Sequence, residues 1–142
     1  MASKNYKTLA LDPKYIPKKS EEYMSVEQRA YFYQLLTAQK EELIQESDSV
    51  LNAVRLAEKA DADGVGDDAD NSSASMDAEK SLKMARRRDG ILRKIDAALD
   101  RLEKGTFGYS VLSGEEIGIS RLLARPLATL TIEEKEEEER RE

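Results

Sequence analysis

Asp61-Ala62-Asp63-Gly64-Val65-Gly66-Asp67-Asp68-Ala69-Asp70-Asn71-Ser72-Ser73 separates two long helical patterns, and its reading decides the fold. It holds five carboxylates and two glycines, and nothing bulky enough to build a core. Gly, Asp, Asn and Ser in such density turn a chain rather than pack it. The chain therefore reads as two long arms meeting at an acidic tip, residues 61–73, with a small body at the other end.

Working outward, the first arm opens at Ser25-Val26-Glu27-Gln28, a capping box with Ser at the N-cap and Gln three residues on. No Pro or Gly follows until Gly64. Phe32, Leu36, Leu43, Val50, Ala53, Ala57 and Ala60 mark a heptad seam broken by Gln39 and Glu46. A helix from Val26 to about Ala60 spans ~50 Å. The second arm starts after Asn71, Ser72 and Ser73, any of which can cap it. Its seam is Ala78, Ala85, Leu92, Ile95, Leu99 and Leu102, flanked by Leu82, Ile91 and Ala98. Lys104-Gly105 closes it with a cation in the last turn and Gly just beyond. Small seam residues sit near the tip and large ones near the root. The arms are expected to pair antiparallel, thinly at the tip and well at the root.

Three segments follow: an N-terminal arm over 1–24, the coiled-coil hairpin over 25–105, and a globular region with a C-terminal helix over 106–142. The first holds Pro13, Pro17 and scattered apolar residues, and is expected to lie on the body with a short helix before Pro13. In the last, Phe107-Gly108-Tyr109 and Ser113-Gly114 read as turn and short-strand punctuation. Ile117, Ile119, Leu122, Leu123, Leu127, Leu130 and Ile132 supply apolar area, and Pro126 prevents one long helix. Thr131-Ile132-Glu133-Glu134 is a second capping box, opening a charged terminal helix. The fold class is mainly α.

Composition narrows function. Of 142 residues, 39 % are apolar and 37 % charged, with no Trp and two Phe, a balance for solvent-washed helices. A net charge of −6 disfavours unassisted DNA binding. There is no apolar run of about 18 residues and no signal segment, so the chain is expected to be soluble, cytoplasmic and off the membrane. It has no Cys and no His, which excludes disulfides, thiol nucleophiles, His bases and the usual zinc sites. No catalytic constellation is visible, and the chain is not read as an enzyme.

Phe107-Gly108-Tyr109, Gly114-Glu115-Glu116-Ile117-Gly118-Ile119, Arg121-Leu122 and Ala124-Arg125-Pro126 stand in an order that resembles the DksA/TraR family. Glu21-Glu22-Tyr23-Met24 and Leu92-Arg93-Lys94-Ile95 add to the likeness, which covers roughly residues 20–142. The resemblance implies a bacterial transcription factor of the stringent response. Such a factor binds RNA polymerase rather than DNA, inserts a coiled coil into the secondary channel, and retunes initiation with ppGpp. Ribosomal RNA promoters are repressed and some biosynthetic promoters activated. The family's zinc finger has two Cys pairs, and Ser110, Ser113, Thr131 and Glu134 stand in their places. Three hydroxyls and one carboxylate are a poor zinc set, so a zinc-independent body is expected, its helix start held by the capping box. A monomer with no structural cofactor and ppGpp as effector completes this reading.

The resemblance places the family's tip pattern on Asp67, Asp70 and Ser72, near the polymerase active site. Their plainer role is an acidic turn favouring a helix N-terminus. An EF-hand reading from Asp61 fits Gly66 but fails at Val65 and at Ser72, where a bidentate Glu belongs. The basic run Lys83, Arg86, Arg87, Arg88, Arg93 and Lys94 is either a solvated face or a docking surface, with Arg86, Arg87 and Arg88 as candidate polymerase contacts. By resemblance, Ile91, Lys94, Arg125 and Lys135 match residues that contact ppGpp, and three cations suit a polyphosphate. Two other functions remain open at this stage. One is a transcript-cleavage or elongation factor of the Gre type. The other is an acidic coiled-coil adaptor that binds through its seam.

Overall fold

The computed structural model describes residues 5–62 and 71–141, with side chains over 5–60 and 76–141. Among the described residues the chain is helical: α1 Val26–Ala62, α2 Asn71–Lys104, α3 Ile119–Ala124 and α4 Ile132–Arg141. Extended pairing among the described residues is limited to an isolated antiparallel bridge between Tyr109 and Glu116. Two compact units are present, Met1–Ala38 with Lys94–Glu142, and Gln39–Arg93.

In the first unit α1 begins as its capping box requires, with one change. Gln28 N–H donates to Ser25 Oγ at 3.3 Å, but Gln28 Oε1 accepts from Met24 N–H at 2.8 Å instead of from Ser25. Ser25 N–H is already given to Glu22 O, and Met24 turns the chain at φ 52°. Gln28 is fully buried, and its Nε2 donates to Lys18 O at 3.2 Å. A buried amide is tolerated there because it is satisfied on both sides.

The other end of α2 is a Schellman closure. Thr106 N–H reaches Arg101 O at 2.9 Å, Gly105 N–H reaches Leu102 O at 3.3 Å, and Gly105 takes φ 79°. Glycine adopts that conformation without Cβ strain. Between these ends Phe32, Leu36, Ile95, Ala98 and Leu102 are buried with Phe107, Ile117, Ile119, Leu122 and Leu130. The rings of Phe32 and Phe107 lie 5.3 Å apart. Each large side chain buried in this way contributes about 1.5–3 kcal/mol.

The N-terminal arm packs in the same unit. Tyr6 stands edge-on to Tyr33 at 5.6 Å with the Arg29 guanidinium 5.5 Å over its ring, and Gln34 Nε2 donates to Leu9 O at 3.0 Å. Burial, then the hydrogen bond to Glu21, pushes the Tyr15 phenol up to about 12. The expected helix before Pro13 does not form among the described residues 5–12. Asn5 Oδ1 takes Lys7 N–H at 3.0 Å and Asn5 O takes Thr8 N–H at 3.2 Å, closing a turn in its place.

In Gln39–Arg93, α1 and α2 run antiparallel, and Arg88 Nε lies 4.0 Å from a Glu46 carboxylate oxygen. The seam expected through this stretch is not a buried one. Leu43 is half-buried, whereas Val50, Ala53, Ala57, Ala60, Ala78 and Leu82 are exposed. Two helices give each seam side chain one wall of neighbours, and alanine is too short to close the gap. Asn71, Ser72 and Ser73 already stand within α2 rather than before it.

Candidate functional site

Ser110, Ser113, Thr131 and Glu134 are brought together. Thr131 and Glu134 form a reciprocal box: Glu134 N–H donates to Thr131 Oγ1 and Thr131 N–H to Glu134 Oε1, both at 3.2 Å. The same carboxylate accepts Ser110 Oγ–H at 2.8 Å and Ser113 Oγ–H at 3.3 Å. Ser110 Oγ in turn accepts Leu112 N–H at 3.1 Å and Ser113 N–H at 3.3 Å. Burial raises the Glu134 pKa, but the hydrogen bonds from Ser110, Thr131 and Ser113 outweigh it and hold the carboxyl below its ordinary value. Four positions thus close a polar knot between the 110–114 turn and the first turn of α4.

The knot does not fit zinc. Its single carboxylate is taken up by hydroxyl and backbone donors, and Ser110 and Thr131 are buried as hydrogen-bonding groups rather than as thiolates or imidazoles.

A second tie joins the segments that carry the family-like residues. Tyr23 O–H donates to Gly108 O and accepts Gly118 N–H at 3.0 Å, and its ring stands edge-on to Tyr109 at 5.5 Å. Burial raises its pKa. Gly108 is required here, because a Cβ would come within 3.0 Å of Met24 Sδ and 3.1 Å of the Tyr23 hydroxyl, at φ 89°. Arg121 Nε donates to Leu130 O at 3.0 Å and fixes α3 to the segment before the knot. Sequence reasoning marked Tyr23 and Gly108 only as parts of two quoted motifs. Their contact spans 85 residues and leaves no local signal.

The remaining candidates are placed as follows. Arg86 and Arg87 are exposed on α2, while the Arg88 side chain is only 10 % exposed and faces Glu46. Lys83, Arg86, Arg87 and Arg93 share one face of α2, at intervals of three, four and seven residues. Lys94 is exposed on α2, Arg125 is exposed at the end of α3, and half-buried Lys135 in α4 lies 3.6 Å from Glu138. Ile91 is half-buried on α2. Asp67 and Asp70 lie outside the described residues, as does the side chain of Ser72. Among the described residues no group of three or more acidic, His or Cys side chains is arranged to hold a metal ion, and no helix is long and apolar enough to cross a membrane.

Two long antiparallel helices and a helical body knotted by hydroxyls and a carboxylate define the class, a cysteine-free form of a hairpin-and-finger protein. Residues 28–102 match the family model described as DnaK suppressor protein DksA, N-terminal domain. The chain is 39 % identical over 128 residues to the RNA polymerase-binding transcription factor DksA of Caulobacter vibrioides, covering 90 % of this chain and 87 % of that one. With the protein of the same description from Escherichia coli K12 it shares 34 % over 119 residues, 84 % and 76 % of the two chains. The solved structure of transcription factor DksA2 from Pseudomonas aeruginosa superposes with a TM-score of 0.74 at 38 % identity, covering 84 % of this chain and 88 % of that one. The chain belongs to the DksA family.

Proposed function

We propose that this protein binds RNA polymerase directly and regulates transcription initiation, acting as a regulator and not as an enzyme. The observation that carries the proposal is the likeness to relatives described as RNA polymerase-binding transcription factors, continuous over 90 % of the chain. The finer reading is that the hairpin enters the polymerase secondary channel with Asp67, Asp70 and Ser72 toward the active site. Exposed Arg86 and Arg87 meet acidic polymerase surface, where complementary charge sets approach rate and register. Arg88 contributes to the packing against Glu46 instead. Lys94, Arg125 and Lys135, with Ile91, take the polyphosphate of ppGpp. The polar knot makes the body independent of zinc supply.

The test is in vitro transcription from a ribosomal RNA promoter, with and without ppGpp, comparing the intact protein with Asp70→Asn. Both must first be shown to bind polymerase. Repression that ppGpp deepens and that Asp70→Asn loses supports the reading. Equal behaviour of the two proteins, or cleavage of backtracked RNA in place of repression, contradicts it.

A further inference from the structure

Arg29 carries a guanidinium with no acidic partner among the described residues. It stands near the start of α1, where its backbone N–H donates to Ser25 O at 2.9 Å. The guanidinium lies 5.5 Å over the Tyr6 ring, and Nε is buried with no hydrogen-bond partner among the described residues. Acids of adjoining segments are engaged elsewhere: Asp100 with Lys104 at 2.8 Å, Glu103 with Lys7 at 3.9 Å, and Glu21 with the Tyr15 hydroxyl at 3.0 Å. A buried guanidinium N–H left unpaired is costly, and an anion satisfies it best.

Arg29 lines a pocket of about 140 Å³ that four segments wall in. Tyr23 and Met24 come from the N-terminal arm, Arg29 from α1, Leu102 from the end of α2, and Phe107 and Tyr109 from the segment beyond. The volume is close to the ~150 Å³ that admits a benzene ring. The walls are set before any ligand arrives. Tyr23 O–H donates to Gly108 O and accepts Gly118 N–H at 3.0 Å, and its ring stands edge-on to Tyr109 at 5.5 Å. Met24 N–H is held by Gln28 Oε1 at 2.8 Å, and Leu102 and Phe107 are buried in the core behind. Side chains fixed in this way lose less freedom on binding. Three aromatic rings and a thioether sulfur favour a ring over an aliphatic chain.

We propose that this pocket binds a small aromatic carboxylate, with the carboxylate on Arg29 and the ring among Tyr23, Met24, Phe107 and Tyr109. A guanidinium takes a carboxylate through two parallel N–H···O bonds, a geometry that a lone ammonium lacks. Nucleotides are too large for the space, and inorganic phosphate leaves the apolar walls unfilled. None of Lys94, Arg125 and Lys135 lines the pocket, so the site is separate from the one read for ppGpp. A ligand held by the arm, α1, α2 and the 107–109 segment together stabilises the folded unit by mass action. The proposal goes beyond the polymerase reading and does not depend on it.

The experiment titrates the full chain with benzoate, followed by calorimetry and thermal melting. Benzamide, of the same shape without the charge, and inorganic phosphate are the comparison ligands. The result expected is saturable benzoate binding that raises the melting temperature, with benzamide at least about tenfold weaker and phosphate unable to displace benzoate. Arg29→Met, which keeps the length of the side chain, is expected to weaken benzoate about tenfold. Arg29→Lys is expected to weaken it less, since it keeps the charge and loses the fork. No saturation at millimolar benzoate overturns the proposal. So does benzamide that binds as tightly as benzoate, benzoate binding unchanged in Arg29→Met, or phosphate that displaces benzoate. The benzamide comparison uses the intact chain, so it decides even where Arg29→Met lowers the melting temperature of the free protein.

Discussion

Met1–Ala38 with Lys94–Glu142 and the stretch Gln39–Arg93 use the same residue types in opposite ways. In the first, Phe32, Leu36, Ile95, Leu102 and Leu122 are enclosed, and polar groups such as Gln28 and Ser110 are buried with partners. In the second, no described side chain is fully buried, and Ile44, Val50, Leu51, Val54 and Leu56 are exposed on α1. Stability therefore resides in the unit that contains the knot. The helical pair is supported by its hydrogen-bonded backbone and by contacts such as Arg88–Glu46.

Substitution at equivalent residue types breaks or sharpens that contrast most strongly. Phe32→Ala is expected to cost about 3–5 kcal/mol in urea unfolding, the range for a fully buried aromatic. Leu51→Ala should stay within ~0.5 kcal/mol, as exposed positions do. Equal losses at the two sites would erase the distinction between the units. Next in size is Ser110→Ala, which strands Leu112 N–H and Ser113 N–H beside the Glu134 carboxylate. Leaving such groups unsatisfied costs roughly 1–3 kcal/mol, measurable by the same unfolding curve.

The carboxylate in the knot gives a pH signature. Glu134 is held below its ordinary pKa in the folded chain, so the unfolded chain binds its proton more readily. Its contribution is complete above the ordinary glutamate value and is lost as pH falls through the lower, folded one. Melting temperature followed from about pH 6 downward should drop for the intact chain, and more shallowly for Glu134→Gln. Parallel curves would show that this carboxylate is not tied in the folded state. Small effects belong to the other unit. Glu46→Gln should cost under about 1 kcal/mol, because the 4.0 Å pair is made by an exposed carboxylate and contributes little.

Much of this fold was legible in the residues. Ser25 and Gln28 marked the start of α1, Thr131 and Glu134 the start of α4, and Lys104-Gly105 the end of α2, because capping is a local matter of a few backbone N–H and C=O groups. The seam was read less well. Heptad spacing shows which side chains share a face, not how many neighbours meet that face, so Val50 and Ala57 lined up and remained exposed. Tyr23 with Gly108 and Gly118 joins residues far apart in the chain, and no periodicity records such contacts. The knot was half-visible. The box at Thr131 and Glu134 followed from sequence, whereas the arrival of Ser110 and Ser113 on the same carboxylate needed the folded chain.

A body closed by its own hydroxyls and carboxylate is proposed to sustain a polymerase regulator without metal. The most direct measurement treats the protein exhaustively with a chelator, dialyses it, and adds it to polymerase on a ribosomal RNA promoter with ppGpp. The expected result is the same repression as from untreated protein, and no change when zinc is added to the stripped chain. Repression that disappears on stripping and returns with zinc would contradict it.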